Sequence, residues 1–429
     1  MTLRHIALAA FALSLSGCGF FDREEIVPGE RIAVRPAAQA DITAPATGLP
    51  APMRNRAWTH EGGMPTHAIP HPALGAQLSR AFSASIGAPS RPDAQITSGP
   101  VGNTAAIYTL DSQATVTATS PSGARLWSRS LVPEGDRAED GFGGGVALGE
   151  GKVFVTTGFG EIFALDAASG AIQWQQQVGA PFRAPPTVFG PRVIAVGRDD
   201  VARAFDAGTG QLLWRLTGAR GDAGVLGGAQ AATDGQLVIL PFSSGELVGA
   251  FARNGRRAWA AAMSTGRRGL ARSSIGDVTG DPVFAETDVI AGNQSGTIVS
   301  IDPRSGRRNW THGDGAQDAP LVVGQAIFAV TDQAELIRLD RASGAVVWRR
   351  QLAERNPRDR DLAARYTGPV IAGGRLFVAN GHDGVEVFDP ATGAALGRLD
   401  ISRGVAAAPA VIDGTLYVLS NEGALVAFR

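Results

Sequence analysis

The chain has 429 residues, and its 39 Lys and Arg residues nearly balance 40 Asp and Glu residues, for a net charge of -1. A chain so close to neutrality has no general electrostatic attraction for nucleic acid. Its 56 glycines and its aromatic content of 7% suit an all-β protein with many tight turns better than a helical one.

The first predicted element is a signal peptide of lipoprotein type over residues 1–17. A charged start and a short apolar run precede the stretch "LSGC", which ends at Cys18, the single cysteine of the chain. This stretch resembles the bacterial lipobox, and the resemblance implies cleavage after Gly17 and acylation of Cys18. Since Gly19 rather than Asp follows the cysteine, it also implies the outer membrane as destination. The alternative is an ordinary signal peptide followed by an unrelated cysteine.

The next segment, residues 18–56, is rich in Ala and Pro and has no hydrophobic period, as in "RPAAQADITAPATGLPAP". Such a composition is typical of a flexible, partly extended tether. We expect it to hold the folded body, residues 57–429, away from the membrane.

The body consists of repeats that end in an Asp–Gly–Trp motif, as in "ALDAASGAIQW". Short apolar runs such as "KVFVTT" precede each motif, so each repeat predicts about four short strands. Repeats of this length with four strands are typical of β-propellers. Six copies end in Trp127, Trp174, Trp214, Trp259, Trp310 and Trp348, and a seventh has Gly397 at the Trp position.

The two ends of the body predict how the ring closes. The C-terminal stretch "GTLYVLSNEGALVAFR" has the early strands of an eighth repeat but lacks the last one, and "LSRAFSASIG" near the start resembles an isolated last strand with Phe82 at the Trp position. Pairing the two removes two open sheet edges. We therefore predict an all-β, eight-bladed β-propeller of four-stranded antiparallel blades, closed by an N-terminal strand; the alternative is an open solenoid.

The repeated motif predicts a structural role. Its Asp can shape the turn through backbone N–H groups, its Gly allows a positive φ, and its Trp is suited to burial between neighbouring blades. A residue that recurs in nearly every repeat is not unique to one active site, so we interpret the six Trp residues as locking the blades together.

The spacing between repeats predicts which face carries function. The distance from the middle of the second-strand run to the Trp is nearly constant, whereas the distance from one Trp to the next run varies widely. The long insertions therefore lie in the links from the last strand of one blade to the first strand of the next, and these links all leave by one face. We call it the long-loop face and expect a partner to dock there.

Two groups of residues could bind a metal ion. Three histidines, His60, His67 and His71, lie close together, but the stretch precedes the first repeat, so we expect a solvated segment. Asp277 and Asp281 in "GDVTGDP" offer two carboxylates, whereas Ca²⁺ takes six or more oxygens. We expect neither a metal nor another cofactor.

The lipobox, the tether and the eight quinoprotein-type repeats together resemble the BamB family, lipoproteins of the outer-membrane β-barrel assembly (Bam) machinery. The resemblance covers nearly the whole chain. It implies a non-enzymatic, lipid-anchored scaffold on the periplasmic face of the outer membrane, a monomer within a hetero-complex that docks the periplasmic (POTRA) domains of BamA.

The resemblance also implies contact residues on the long-loop face. A family "Leu-Arg-Gly" stretch aligns with Leu226, Gly227 and Gly228, and an Asp-rich stretch aligns with Asp277 and Asp281. The missing Arg can be supplied by a neighbouring loop, in which the candidates are Arg268 and Arg272. We expect that changing Leu226 and Asp277 weakens docking with little loss of stability.

Two other functions remain open at this point. Quinone-dependent dehydrogenases share the repeat, and that function predicts a cluster of carboxylates in the central channel. A propeller that binds sugars or peptides is the second alternative, although no aromatic platform stands out beyond the repeated Trp positions.

Overall fold

The computed structural model describes residues 48–221, 227–263 and 276–429. Eight antiparallel sheets of four strands follow one another along this part of the chain, one of them extended by a short fifth strand. The prediction of an all-β, eight-bladed propeller is confirmed. Among the described residues no helix is long and apolar enough to cross a membrane.

The first four blades follow two N-terminal strands, β1 and β2. The bounds in chain order are β1 Ala57–Trp58, β2 Arg80–Ser85, β3 Val101–Asn103, β4 Ile107–Leu110, β5 Thr115–Thr119, β6 Arg125–Ser130, β7 Gly144–Gly149, β8 Lys152–Thr157, β9 Glu161–Asp166, β10 Ile172–Gln177, β11 Thr187–Phe189, β12 Arg192–Val196, β13 Val201–Asp206, β14 Leu212–Thr217, β15 Ala232–Thr233, β16 Leu237–Pro241, β17 Glu246–Phe251 and β18 Arg257–Ala262. A short 3₁₀ turn, Ala138–Gly141, lies in the link between blades 1 and 2.

Blades 5 to 8 complete the ring, with a two-stranded hairpin, β27–β28, in the link between blades 6 and 7. The bounds are β19 Val283–Ala285, β20 Asp288–Asn293, β21 Thr297–Ile301, β22 Arg308–His312, β23 Leu321–Val323, β24 Ala326–Val330, β25 Glu335–Asp340, β26 Val346–Gln351, β27 Arg355–Asn356, β28 Asp359–Ala363, β29 Tyr366–Ala372, β30 Arg375–Asn380, β31 Gly384–Phe388, β32 Ala395–Asp400, β33 Ala410–Ile412, β34 Thr415–Leu419 and β35 Ala424–Phe428.

The ring closes as the sequence predicts. Strand β2 pairs with β35, and together with β33 and β34 they form blade 8. A bulge between Arg80 and Phe82 sets Phe82 opposite Ala427, just as the bulge in β10 sets Trp174 opposite Ala164. Phe82 therefore occupies the Trp position of blade 8.

Each Trp joins its own blade to the next one, an arrangement we call the clasp. The indole N–H donates to a backbone carbonyl in the motif turn of the next blade. The acceptor is the residue that follows the motif Asp, or the corresponding residue where a repeat lacks that Asp. The pairs are Trp127 with Ala167, Trp174 with Ala207, Trp214 with Ala252, Trp259 with Pro303, Trp310 with Arg341 and Trp348 with Pro390, at 2.6 to 3.2 Å. The clasp thus satisfies the polar edge of a ring that is otherwise buried among apolar groups.

The motif Gly fits beneath the indole of the preceding blade. At Gly210, φ is +74°, and a Cβ atom would lie 2.7 Å from the ring of Trp174. The motif Asp206 accepts bonds from the Thr209 amide at 2.8 Å and the Thr209 hydroxyl at 3.0 Å, which hold the turn in place. The turn therefore needs glycine for both backbone conformation and space.

The missing seventh Trp has a topological explanation. Blade 8 takes its last strand from β2, so no hairpin joins its third and fourth strands. A Trp at Gly397 would find no motif turn in blade 8 on which to pack. Phe82, by contrast, packs against Gly123 in the corresponding turn of blade 1.

The hydrophobic core lies between the blades rather than within any one of them. Six clusters of buried apolar side chains each draw on at least two neighbouring blades; one of them joins Val101 and Val116 of blade 1 to Val153 and Phe163 of blade 2. No blade can bury its faces alone, so the blades stabilise one another around the ring.

Residues 50–74 form a plug that closes the ring on the face opposite the long-loop face. The plug contacts all eight blades near the turn between their first and second strands. In blade order, the contacts are Trp58 with Gly102, Thr59 with Leu148, His60 with Val188, Pro65 with Thr233, Thr66 with Phe284, Pro50 with Gly324, Pro72 with Gly373 and Asn55 with Asp413. Ordered contacts therefore begin upstream of residue 57.

The expectation of a solvated histidine segment is wrong. His60, His67 and His71 are at most 3% exposed. His60 Nε2 accepts a bond from the Val188 amide, and His71 Nε2 accepts one from the Gly374 amide, both at 2.8 Å. Burial lowers the pKa of His60 to about 3 and that of His67 to about 4, so both imidazole rings are neutral at pH 7. The two rings attach the plug to the blades by hydrogen bonds.

The clasp predicts a difference between two glycines with the same φ. Gly179 and Gly210 both have a φ of +74°, but nothing lies within 4 Å of a Cβ at Gly179. Gly179→Ala should cost only the backbone strain, about 1 kcal/mol. Gly210→Ala should cost about 1–3 kcal/mol more, because its Cβ would overlap the Trp174 ring. Urea denaturation of both variants measures the difference, and equal losses would contradict the clasp.

Candidate functional site

A cavity of about 450 Å³ opens on the long-loop face, where the links reach the inner strands. Links of six neighbouring blade pairs and two turns supply its walls. The lining residues are Glu61, Gln95, Thr97, Gly227, Gly228, Asp277, Val278, Thr279, Asp281, Gln294, Gln317, Asp318, Asp332, Ala363, Ala364, Arg365, Tyr366, Thr367, Ala406, Ala407 and Ala408. Five of these side chains are carboxyl groups and one is a guanidinium, so the cavity is acidic.

The plug contributes the side chain of Glu61 to the cavity. Glu61 Oε1 accepts a bond from the Gly99 amide at 3.3 Å, in the link from blade 8 to blade 1. The same segment that closes one face of the ring therefore also supplies an acid group to the cavity on the other face.

Three carboxyl groups of the cavity affect one another. Burial, together with the nearby Asp318, raises the pKa of Glu61 to about 8. Burial and the proximity of Glu61 and Asp318 raise the pKa of Asp281 well above its usual value, and burial raises that of Asp318. Like charges in a poorly solvated site favour the protonated form. These groups therefore hold protons at a pH where ordinary carboxyl groups have lost them.

Only one of the two carboxyl oxygens of Asp281 has a hydrogen-bond partner among the described residues. Its Oδ1 accepts a bond from the Gln230 amide at 2.6 Å, while Oδ2 has no hydrogen-bond partner among the described residues. The residue is 6% exposed. Asp281 lines the cavity, so a donor in the cavity could bind its Oδ2.

Asp277 forms a buried ion pair with Arg183. Two guanidinium nitrogens bind the two carboxylate oxygens at 2.5 and 2.8 Å, and the side chains are 6% and 1% exposed. Arg183 comes from the link between blades 2 and 3 and also packs against Gly228, where a Cβ would lie 2.5 Å from its side chain. The pair therefore ties three successive links together beside the cavity.

The structure brings four of the seven predicted contact residues together, since Gly227, Gly228, Asp277 and Asp281 all line the cavity. Leu226, Arg268 and Arg272 lie outside the described residues. The buried pair argues against the expectation that Asp277 can be changed with little loss of stability, because its removal would leave the buried Arg183 without its counter-charge.

Four residues of the site carry no signal in the sequence: Glu61, Arg183, Asp318 and Arg365. They lie far apart along the chain, in the plug and in three different links, and no motif marks them. Only the repeat spacing, which places all links on one face, could have indicated that the side chains of the links converge.

The cavity contains the cluster of carboxyl groups that the dehydrogenase alternative predicts, five in all, but it does not fit the cofactor of the quinoprotein fold. The quinone is itself an anion with several carboxylates, and the lining offers it a single guanidinium, that of Arg365. A Ca²⁺ ion takes six to eight oxygens, but Asp277 is paired with Arg183, and no group of three His, Cys, Asp or Glu side chains among the described residues is arranged to hold a metal ion.

Eight four-stranded blades, six of which are joined to the next blade by a Trp clasp, define a quinoprotein-type β-propeller. A family model described as "Outer membrane protein assembly factor BamB" matches residues 112–350 and 343–429. The chain belongs to this family, which confirms the resemblance noted from the sequence.

Individual relatives carry the same description. A protein of Shewanella oneidensis named "Outer membrane protein assembly factor BamB" is 24% identical over 283 residues, which cover 66% of this chain and 69% of the relative. A protein of the same name from Xanthomonas campestris pv. campestris is 28% identical over 313 residues, covering 72% and 75%.

Solved structures share the fold at low sequence identity. BamB from Moraxella catarrhalis superposes with a TM-score of 0.67 at 18% identity, covering 82% of this chain and 100% of that one. The quinohemoprotein alcohol dehydrogenase from Comamonas testosteroni gives 0.66 at 16% identity, covering 88% and 81%. An enzyme and an assembly factor thus match almost equally well, so the fold alone does not separate the two functions.

The raised pKa of Glu61 predicts a pH-dependent stability. Between about pH 4.5 and pH 8 the folded state keeps the Glu61 proton, whereas the unfolded chain has lost it. The stability that this carboxyl contributes to the fold is therefore complete below pH 4.5 and is lost as the pH rises through about 8. Glu61→Gln should therefore be more stable than the wild type at pH 9 by at least about 1 kcal/mol and nearly equal to it at pH 4.5. Urea denaturation at the two pH values measures this.

A matched control for that measurement is Glu134→Gln. Glu134 is exposed on the long-loop face and does not line the cavity. Its replacement should leave the difference between the two pH values unchanged. A Glu61 variant with the pH dependence of the wild type would contradict the assignment.

The buried ion pair predicts that removing one partner destabilises the fold more than replacing both partners with apolar residues. Asp277→Ala should destabilise the fold by about 3–5 kcal/mol because it leaves a buried guanidinium unpaired. The double change Arg183→Met with Asp277→Leu should cost less than the single change. Asp140→Ala breaks the exposed Arg137–Asp140 pair and should leave the stability nearly unchanged. Thermal denaturation compares the three, and equal losses for Asp277→Ala and Asp140→Ala would contradict the role of burial.

Proposed function

We propose that this chain is a non-enzymatic scaffold of the outer-membrane β-barrel assembly complex. In this proposal the long-loop face docks the periplasmic domains of BamA, and the complex inserts β-barrel proteins into the outer membrane. The observation that carries the proposal is membership of a family described as an outer membrane protein assembly factor.

The arrangement of the long-loop face supports the docking part of the proposal. Gly227 and Gly228 in one link and Asp277 and Asp281 in the next lie around the same cavity, and the buried Arg183–Asp277 pair holds the two links together. A docking surface built on links needs this kind of support, because links are otherwise the least constrained part of a propeller. The proposed contact residues are these four together with Leu226, Arg268 and Arg272.

The chemistry of the cavity supports a non-enzymatic role. An acidic lining does not suit an anionic quinone. Asp277, one of the two carboxylates that the sequence offers to a Ca²⁺ ion, is paired with Arg183. The dehydrogenase alternative needs both groups at the centre of the ring.

The proposed anchor is an acylated Cys18 at the periplasmic face of the outer membrane. The lipobox-like stretch and the Ala- and Pro-rich segment 18–56 support this, and the family description names the same membrane. Several acyl chains on one residue hold a protein firmly, at about 0.8 kcal/mol for each buried CH₂ group.

Co-purification from detergent-solubilised membranes tests the proposal. The tagged wild type should recover BamA, and Leu226→Asp should recover at least tenfold less with an unchanged melting temperature. The matched control is Leu396→Asp, since Leu396 is 55% exposed on the outermost strand of blade 7, and it should recover BamA as the wild type does. Cys18→Ser should move the chain to the soluble fraction. Failure of the wild type to recover BamA would refute the proposal.

A further inference from the structure

We propose that the central cavity on the long-loop face is a binding site for an organic cation, an alkylammonium or guanidinium group. The site is built on Glu61, Asp281 and Asp318, which the plug and two different links bring together. This proposal concerns the ligand of the cavity and goes beyond the docking of a protein on the same face.

Charge is the first reason. The titratable and charged side chains that line the cavity beside Glu61, Asp281 and Asp318 are Asp277, Asp332, Arg365 and Tyr366. Asp277 is neutralised by Arg183, and the Tyr366 hydroxyl donates to the Ala353 carbonyl at 3.0 Å. Arg365 donates to Gln95 Oε1 at 2.6 Å and is near enough to Asp318 to offset part of the rise in the pKa of that carboxyl, but it forms no hydrogen bond or ion pair with it. Within the described residues, no Lys or Arg side chain bonds to the carboxyl group of Glu61, Asp281 or Asp318. A cation in the cavity would relieve their mutual repulsion.

An acceptor without a partner is the second reason. The Asp281 side chain lines the cavity and is 6% exposed, and its Oδ2 has no partner among the described residues. A ligand with several N–H donors can bind such an acceptor, and ammonium and guanidinium groups carry three and five.

Size and geometry favour an organic cation over a metal ion. The cavity holds about 450 Å³, which is the size of a small-molecule site. The carboxyl groups influence each other's pKa, yet no three of the described acid or histidine side chains are close enough to share one metal ion. A larger cation does not need three ligands around a single point.

Titration calorimetry with the full-length protein in detergent tests the proposal. The probes are n-butylguanidinium and its neutral isostere n-butylurea, which differ in charge but hardly in shape. The charged probe should bind at least tenfold more tightly. Its affinity should rise at least tenfold from pH 6 to pH 9, because binding displaces protons from the carboxyl groups. Equal affinities of the two probes would overturn the proposal. So would the absence of binding of either probe at about 10 mM, which is near the weakest affinity that can be measured usefully.

Two conservative variants and one control locate the binding. Asp281→Asn keeps an acceptor for the Gln230 amide and removes the charge, and Glu61→Gln does the same for the Gly99 amide. Each should lower the affinity for n-butylguanidinium at least tenfold, and either one suffices if the other fails to fold. Glu134→Gln should have no effect. A charge preference that survives both cavity variants would overturn the proposal.

A competition experiment distinguishes the two sources of such a cation. If the protein partner of the long-loop face blocks n-butylguanidinium, the natural occupant is a basic side chain of that partner. If the probe and the partner bind together, the occupant is a free amine or guanidine. Both results support the cation site. The titration with small probes uses no partner, so its result does not depend on the proposed function.

Discussion

The fold depends on one contact that recurs around the ring: an indole packed on a glycine of the next blade and bonded to a carbonyl in the same turn. The contact works only across a blade boundary, since the Trp and its Gly belong to different repeats, as Trp174 and Gly210 do. Every blade is therefore stabilised by its neighbours, and a ring with no free end satisfies the largest number of such contacts. The exception at Gly397 follows the same rule, because the blade it faces has no turn to receive a ring.

The plug covers the centre of the ring on the face opposite the long-loop face. Residues 50–74 bond to the first-strand ends of the blades on one face, and neutral buried histidines hold them there. The cavity lies at the long-loop face. Glu61 extends from the plug to the cavity, so the segment that closes the ring also supplies one of the five carboxyl groups there.

The same scaffold serves enzymes and assembly factors because the blades impose no chemistry on the centre. This chain superposes on a BamB structure and on an alcohol dehydrogenase with TM-scores of 0.67 and 0.66. In this chain the links and the plug direct side chains towards the centre of the ring. Here they form an acidic cavity beside the Arg183–Asp277 pair, which does not suit an anionic quinone and does suit a cation.

The sequence by itself determined the fold, the number of blades, the closure through Phe82 and the family, because each rests on a local pattern that repeats at a regular spacing. It also placed Gly227, Gly228, Asp277 and Asp281 on one face, and the structure gathers them around one cavity. Only the tertiary structure decided that the histidine segment is a buried plug, that Asp277 is occupied by Arg183 and that Glu61 joins Asp281 and Asp318. These contacts join residues up to 303 positions apart, as His71 and Gly374 are, and burial, not sequence spacing, determines whether a polar side chain is solvated or paired.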